Sequence, residues 1–206
     1  SMRGELLRIY AEQPQFSWLT LVHLSSEQTY TIEQLVSRIA DYATFYLQYG
    51  VKPKDLVLII LKESLDLFAS FLAALMIGAM PAYYAYPSPK HSAESFVESV
   101  KNLIRYNEIH LVISYAEVIE LLTQLDSHHF PGCKGFFDYR TVSERGNTDL
   151  KQFPMLEQEA FLQFSSGTTG AKKGVKISAN ALFNQIDAYS PFVEYTPQSR
   201  VVSWLP

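Results

Sequence analysis

Residues 55–86 read DLVLIILKESLDLFASFLAALMIGAMPAYYAY, and their patterning decides the architecture of the chain. Residues 55–61 are a short, nearly continuous apolar run, the pattern of a strand buried on both faces. Residues 64–78 read as a helix rich in small and apolar side chains, and residues 79–86 as a second strand. A strand, a helix and a strand in that order make a βαβ unit whose two strands lie parallel in one sheet.

Working outward, the same alternation continues. Downstream, residues 92–106 read as a helix with Phe96, Val100, Leu103 and Ile104 on one side. A strand over 111–114, a helix over 116–125 and a short strand near 135–138 follow. Residues 160–164 and 175–177 are predicted strands flanking a loop, residues 178–189 a helix, and residues 200–205 one more strand. Residues 141–153 (TVSERGNTDLKQF) are polar and read as a linker or surface excursion. Upstream, residues 2–12 read as a surface helix. Residues 16–22 and 28–31 read as a hairpin turning on Ser25, Ser26 and Glu27. Thr31 and Gln34 have the spacing of a capping box, opening a helix whose apolar positions Ile32, Leu35, Val36, Ile39, Ala40 and Ala43 recur at helical period until Gly50. The fold class expected is α/β, with a mainly parallel sheet flanked by helices.

Composition narrows the function. With 48% hydrophobic and 18% charged residues the chain is ordinary globular material. Its formal net charge of −4, without any Lys/Arg-rich run, lacks the basic stripe of a nucleic-acid binder. The single cysteine, Cys133, excludes an intrachain disulfide. The most apolar stretch, 67–79, is shorter than the ~20 residues that span a bilayer, and residues 1–5 (SMRGE) lack the apolar core of a signal peptide. Ser1 ahead of Met2 reads as a residue left by an expression tag. A cytoplasmic protein is the expectation.

The chemistry concentrates in residues 164–175, FSSGTTGAKKGV. Each residue type there suits a phosphate chain. Gly167, Gly170 and Gly174 let backbone amides approach an anion closely. The hydroxyls of Ser165, Ser166, Thr168 and Thr169 donate to phosphate oxygens and can meet a hydrated magnesium ion. Lys172 and Lys173 supply compact positive charge. A Ser/Thr/Gly turn in a β-hairpin is the plain alternative on composition alone. The P-loop is excluded, since no Gly-Lys pair exists in the chain. The dinucleotide fingerprint is excluded because the glycines are spaced three and four apart.

The segment resembles the signature of the adenylate-forming superfamily, the AMP-binding enzymes that include acyl-CoA synthetases, fatty acyl-AMP ligases and peptide-synthetase adenylation domains. Phe164, Ser166, Gly167, Thr168, Thr169, Gly170, Lys173, Gly174 and Val175 match it, and Ser165 keeps a hydroxyl. Lys172 stands where the family usually has proline, and Ala179 where it often has histidine. The 56–60 strand, the 67–74 helix and Gly78–Pro81 are similar to the family's early βαβ region. Residues 86–89 (YPSP), 162–164 (LQF) and 203–206 (SWLP) lean toward the fatty acyl-AMP ligase branch.

The resemblance implies a ligase that activates a carboxylic acid, of fatty type, with ATP and Mg2+ and passes the acyl group to an acyl carrier protein or to coenzyme A. It implies ATP-phosphate binding by Ser165, Ser166, Gly167, Thr168, Thr169, Gly170, Lys173 and Gly174. Residues 1–206 would be the amino-terminal portion of an adenylation domain, with the catalytic residues beyond them, so the segment alone is expected not to form adenylates. An acyl-CoA synthetase fragment and a non-catalytic docking module of a larger synthase are the alternatives.

Other residues carry less. His128, His129 and Cys133 do not make a metal site, because adjacent histidines point apart and no fourth ligand is evident. His110 is expected to be a packing or edge residue, and Asp126, Asp138 and Glu159 solvated element ends. Tyr83, Tyr84 and Tyr86 could line an acyl cavity, with sheet packing the expected role.

Overall fold

The structure, a computed structural model, describes residues 2–87, 92–124, 132–143, 149–152, 160–164, 174–196 and 198–203. It opens with α1 (Met2–Glu12) and a hairpin of β1 (Ser17–His23) and β2 (Ser26–Thr31). The hairpin turns on Leu24 and Ser25, with His23 opposite Ser26, rather than on residues 25–27. The turn is two residues long, and Ser26 and Glu27 belong to β2, where they pair with His23 and Val22. Trp18 of β1 meets Phe68 edge to face, with ring centroids 5.3 Å apart.

The capping box forms. Thr31 Oγ1 accepts the amide of Gln34 at 3.3 Å, and the Gln34 side chain accepts the amide of Thr31 at 2.9 Å. Two otherwise orphaned amides are thereby satisfied at the start of α2 (Ile32–Gln48). Beyond its end Gly50 adopts φ +72°, a conformation that a Cβ disfavours.

From there the chain alternates: β3 (Leu56–Ile60), α3 (Leu65–Met76), β4 (Met80–Tyr83), α4 (Ala93–Asn107), β5 (Ile109–Ser114), α5 (Ala116–Gln124), β6 (Phe136–Asp138), β7 (Ala160–Phe164), β8 (Gly174–Ser178) and α6 (Ala179–Val193). Serine hydroxyls cap three of the helices: Ser64 accepts from Leu67, Ser92 from Ser95 and Ser178 from Ala181. Six strands form one sheet in the order β6-β5-β3-β4-β7-β8. All neighbours run parallel except β8, which is antiparallel to β7. The expected α/β class with a mainly parallel, helix-covered sheet is the class observed.

The pleat of β3 explains the layering. Val57 and Ile59 join α2 and α3 in one buried cluster, while Leu56, Leu58 and Ile60 join α4 and α5 in a second. All five β3 residues are buried, which is why the strand reads as an unbroken apolar run. Ser114 Oγ ties β5 to β3 by donating to the Ile60 carbonyl at 2.9 Å.

Four further segments depart from the reading of the sequence. β4 stops at Tyr83, because residues beyond it turn onto the carboxyl edge of the sheet. The polar stretch 141–153 is pinned rather than purely superficial: Val142 and Leu150 are buried in the α2–α3 cluster. Arg38 donates to the Val142 carbonyl at 3.1 Å while its guanidinium also engages Asp66 at 2.7 Å and Asp41 at 3.1 Å. Two apolar anchors in a polar run escape a pattern that looks for periodicity. Finally, residues 200–203 form no strand, and Val201 and Val202 are exposed. α6 extends to Val193, four residues past expectation, with Pro191 in its last turn, where only one amide donor is lost.

Candidate functional site

The candidate phosphate loop lies almost wholly outside the described residues: Ser165, Ser166, Gly167, Thr168, Thr169, Gly170 and Lys173 are among those not described, as is Lys172. Its two supports are described. β7 runs parallel to β4, with Ala82 beside Leu162, so the loop departs from the carboxyl end of the parallel strands. β8 returns antiparallel, pairing Phe164 with Gly174 and Leu162 with Lys176. The strands on either side of residues 165–173 are thus hydrogen-bonded to each other.

Gly174, assigned to the loop from sequence, is the first residue of β8. A Cβ there would stand 2.8 Å from Leu162 Cδ2 and 3.0 Å from its Cγ. A Cβ at Gly174 would thus press on the side chain of buried Leu162, which would have to shift to admit it. Phe164 closes the β7 side by meeting the Tyr84 ring edge to face at 6.2 Å. Ala179, at the position where a histidine was looked for, begins α6 directly after its cap.

A second group of side chains, of which the sequence singled out Tyr86 alone, gathers on the same carboxyl edge. Each of four neighbouring strands contributes one residue: Tyr139 follows β6, Tyr115 follows β5, Lys62 follows β3 and Tyr86 follows β4. Tyr139 and Tyr115 meet edge to face at 5.1 Å, and Tyr115 and Tyr86 at 5.5 Å. The Lys62 ammonium lies 4.0 Å from the Tyr86 ring centroid and 6.0 Å from that of Tyr115. The Lys62 amide donates to Tyr115 Oη at 3.2 Å, and the Tyr86 hydroxyl donates to Glu117 Oε1 at 3.3 Å. Burial, helped at Tyr86 by the Glu117 carboxylate, raises the pKa of both phenols and keeps them neutral donors. The available signal was positional: Lys62 and Tyr115 lie within two residues of the ends of β3 and β5.

The remaining candidates are structural. Tyr83 stacks on Phe71 at 4.6 Å and donates to the Leu67 carbonyl, and Tyr84 packs on Phe96, so both serve the sheet rather than a cavity. His110 Nδ1 faces Asp55 at 3.3 Å on the opposite edge. Asp138 caps a 3-10 turn and pairs with Arg140, whose guanidinium holds its carboxyl below the usual range. The half-buried Cys133 thiol is pushed up by burial. His128, His129, Asp126 and Glu159 lie outside the described residues; among those described, no group of three or more His, Cys, Asp or Glu could hold a metal. No described helix is long and apolar enough to cross a membrane.

With this geometry in hand, comparison with known proteins is specific. The profile of the family described as "AMP-binding enzyme" matches residues 10–206. The chain is 25% identical over 180 residues to nonribosomal peptide synthetase GRA1 of Gibberella zeae, covering 86% of this chain and 2% of that protein. It is 26% identical over 188 residues to tyrocidine synthase 3 of Brevibacillus parabrevis, covering 88% of this chain and 3% of the other. Among solved structures it superposes on the fatty acid AMP ligase from Legionella pneumophila with a TM-score of 0.86 at 21% identity, covering all of this chain and 35% of that one. The chain therefore spans only a small part of the proteins it matches.

Proposed function

We propose, from the premise that this chain belongs to the AMP-binding enzyme family, that it is the amino-terminal portion of an adenylation domain activating a fatty acid for transfer to a carrier-protein thiol. The observation that carries the reading is the segment 164–175, which matches the family's phosphate-binding signature and joins paired strands at the carboxyl edge of the sheet. In the first step a carboxylate oxygen attacks the α-phosphorus of ATP and the bond to pyrophosphate breaks, giving acyl-AMP. In the second a thiolate attacks the acyl carbon and AMP leaves.

The chain's own part in this is positioning and charge neutralisation, which in-line phosphate chemistry chiefly demands of a protein. The hydroxyls of Ser165, Ser166, Thr168 and Thr169 and the amides at Gly167 and Gly170 would hold the β- and γ-phosphates, with Lys173 countering their charge. Gly174 sets the strand against Leu162 so that the loop starts at a fixed point. This donor set fits a triphosphate. Residues 160–178 include hydroxyls that can meet hydrated Mg2+ but no carboxylate to bind it directly; the ion when bound neutralises phosphate charge. The fatty and carrier-protein assignments draw support from the similarity of residues 86–89, 162–164 and 203–206 to acyl-AMP ligases, and from the name of the Legionella ligase on which the fold superposes.

The test uses a protein carrying this segment together with the rest of the adenylation fold. Fatty-acid-dependent exchange of pyrophosphate into ATP is expected, followed by acyl transfer to a phosphopantetheinylated carrier faster than to coenzyme A. Lys173→Ala should lower exchange by roughly 10- to 150-fold, the worth of one charge-assisted contact of about 1.5–3 kcal/mol, while Lys172→Ala changes it far less. Equal losses at both lysines, or preferential loading of coenzyme A, would overturn the corresponding part of the reading.

A further inference from the structure

The amino edge of the sheet, opposite the candidate phosphate loop, holds a cleft of about 650 Å³ where the end of α2 meets Lys52, Asp55, His110 and Lys134. We propose that this cleft binds a small dicarboxylate, the Lys52 and Lys134 ammonium groups each meeting one of its carboxylates.

The walls of the cleft are built and held. Asp55 Oδ2 accepts the Lys52 amide at 2.8 Å, and the Lys134 amide donates to the His110 carbonyl at 2.6 Å. Tyr49, which lines the cleft at the end of α2, is packed on Phe137 and Phe45 with ring centroids 4.2 and 4.6 Å away. The volume falls in the range of small-molecule sites. β6, β5 and β3 are successive neighbours, so the two lysines, on the segments entering β6 and β3, approach from either side of His110 on β5. Two strand spacings, about 10 Å, separate those outer strands.

Charge selects the ligand. The lining holds two ammonium groups against one carboxylate. Neither ammonium has an ion-pair or hydrogen-bond partner among the described residues. The Asp55 carboxylate opposes an anion, but its Oδ2 is already turned to the Lys52 amide and to His110 Nδ1, 3.3 Å away. Lys54 and Glu108 neighbour these segments in sequence; they do not line the cleft, and their charges offset each other. One anionic group on one exposed lysine is worth little. A ligand with a carboxylate at each end makes its second contact intramolecularly, and the two together hold where one does not. β3 is five residues long, about 17 Å, so a ligand at its amino end stands away from residues 165–173 and acts as an effector rather than a reactant.

The experiment uses the chain as it stands, following the amide NMR signals of Gly50, Lys52 and Lys134 while succinate, acetate or inorganic phosphate is added at constant ionic strength. Succinate is expected to shift all three saturably, with acetate and phosphate binding roughly 5-fold or more weakly. Lys52→Met and Lys134→Met should each weaken succinate by about 3- to 5-fold, the worth of one exposed ion pair, while Lys134→Arg retains it. Asp55→Asn, which keeps an acceptor for the Lys52 amide and removes the opposing charge, should tighten binding. Lys54→Met changes the same charge outside the lining and should leave the titration as it is. The proposal is overturned if succinate leaves Gly50 and Lys134 unmoved, if acetate or phosphate binds as tightly, if both lining-lysine variants bind like the parent, or if Lys54→Met weakens binding as much as they do. None of these readouts depends on adenylation, so this site and the phosphate loop can fail separately.

Discussion

At β3 every residue is buried, with α2 and α3 covering one face and α4 and α5 the other; α6, fifteen residues long, buries none. Both elements are apolar, so hydrophobicity alone does not separate them. What differs is how many sides are covered. Ile186, Tyr189, Phe192 and Val193 of α6 are exposed, as are Val175 of β8, Val201 and Val202. β8 adds to this by forming an edge, paired only with β7 among the described residues. Most helical stability comes from packing of an apolar face, and regions with few buried contacts open at free energies well below that of the whole domain. Within this 206-residue segment taken alone, the β3 part is therefore self-supporting, and the β7–β8–α6 part, which flanks the candidate phosphate loop, opens at lower free energy.

That contrast breaks or holds under substitution. Ile59→Ala should cost about 2–5 kcal/mol in denaturant unfolding, since the site is enclosed and cannot collapse, whereas Ile186→Ala in α6 should stay within about 0.5 kcal/mol. Similar losses at the two isoleucines would erase the distinction between the halves.

Next in size is Gly174→Ala. The added methyl meets Leu162, so a loss of about 1–3 kcal/mol is expected, read as faster amide exchange along β7 and β8 with β3 unaffected. In a Leu162→Ala background most of that loss should disappear, because the overlapping atoms are gone. An undiminished loss in that background would mean that the glycine is needed for something other than packing.

The helix caps sharpen the comparison further. Thr31→Ala removes half of a capping box on a helix that belongs to the main core, and about 1 kcal/mol of global stability should go with it. Ser178→Ala removes a similar hydrogen bond from α6, yet only the exchange of α6 amides should respond while the unfolding midpoint stays put. A matching shift in midpoint would show α6 to be part of the same cooperative unit.

The smallest effect concerns acid. The Arg140 guanidinium holds the Asp138 carboxyl below its usual range, so this pair stabilises the fold above the unfolded carboxyl pKa of about 4 and ceases to as pH falls through the lower folded value. Arg140→Ala should return the Asp138 titration, followed by NMR, to the ordinary range. Because Arg140 is largely exposed the change in stability should be slight, and a titration that does not move would remove the pair from the account.

From the sequence by itself the βαβ alternation, the capping box at Thr31 and Gln34, the buried character of β3 and, through residues 164–175, the family were all legible. Each is encoded locally, in a period, a hydrogen-bonding residue at a fixed offset, or a run of neighbouring donors. Strand order, the antiparallel turn of β8, the burial of Val142 and Leu150, and the absence of a strand over residues 200–203 came only with the tertiary structure. So did the row that brings Lys62 beside Tyr86 and Tyr115. These depend on which segments become neighbours after the chain has crossed from one face of the sheet to the other. No local pattern records that, because the contacts join residues 10 to 104 positions apart in the chain.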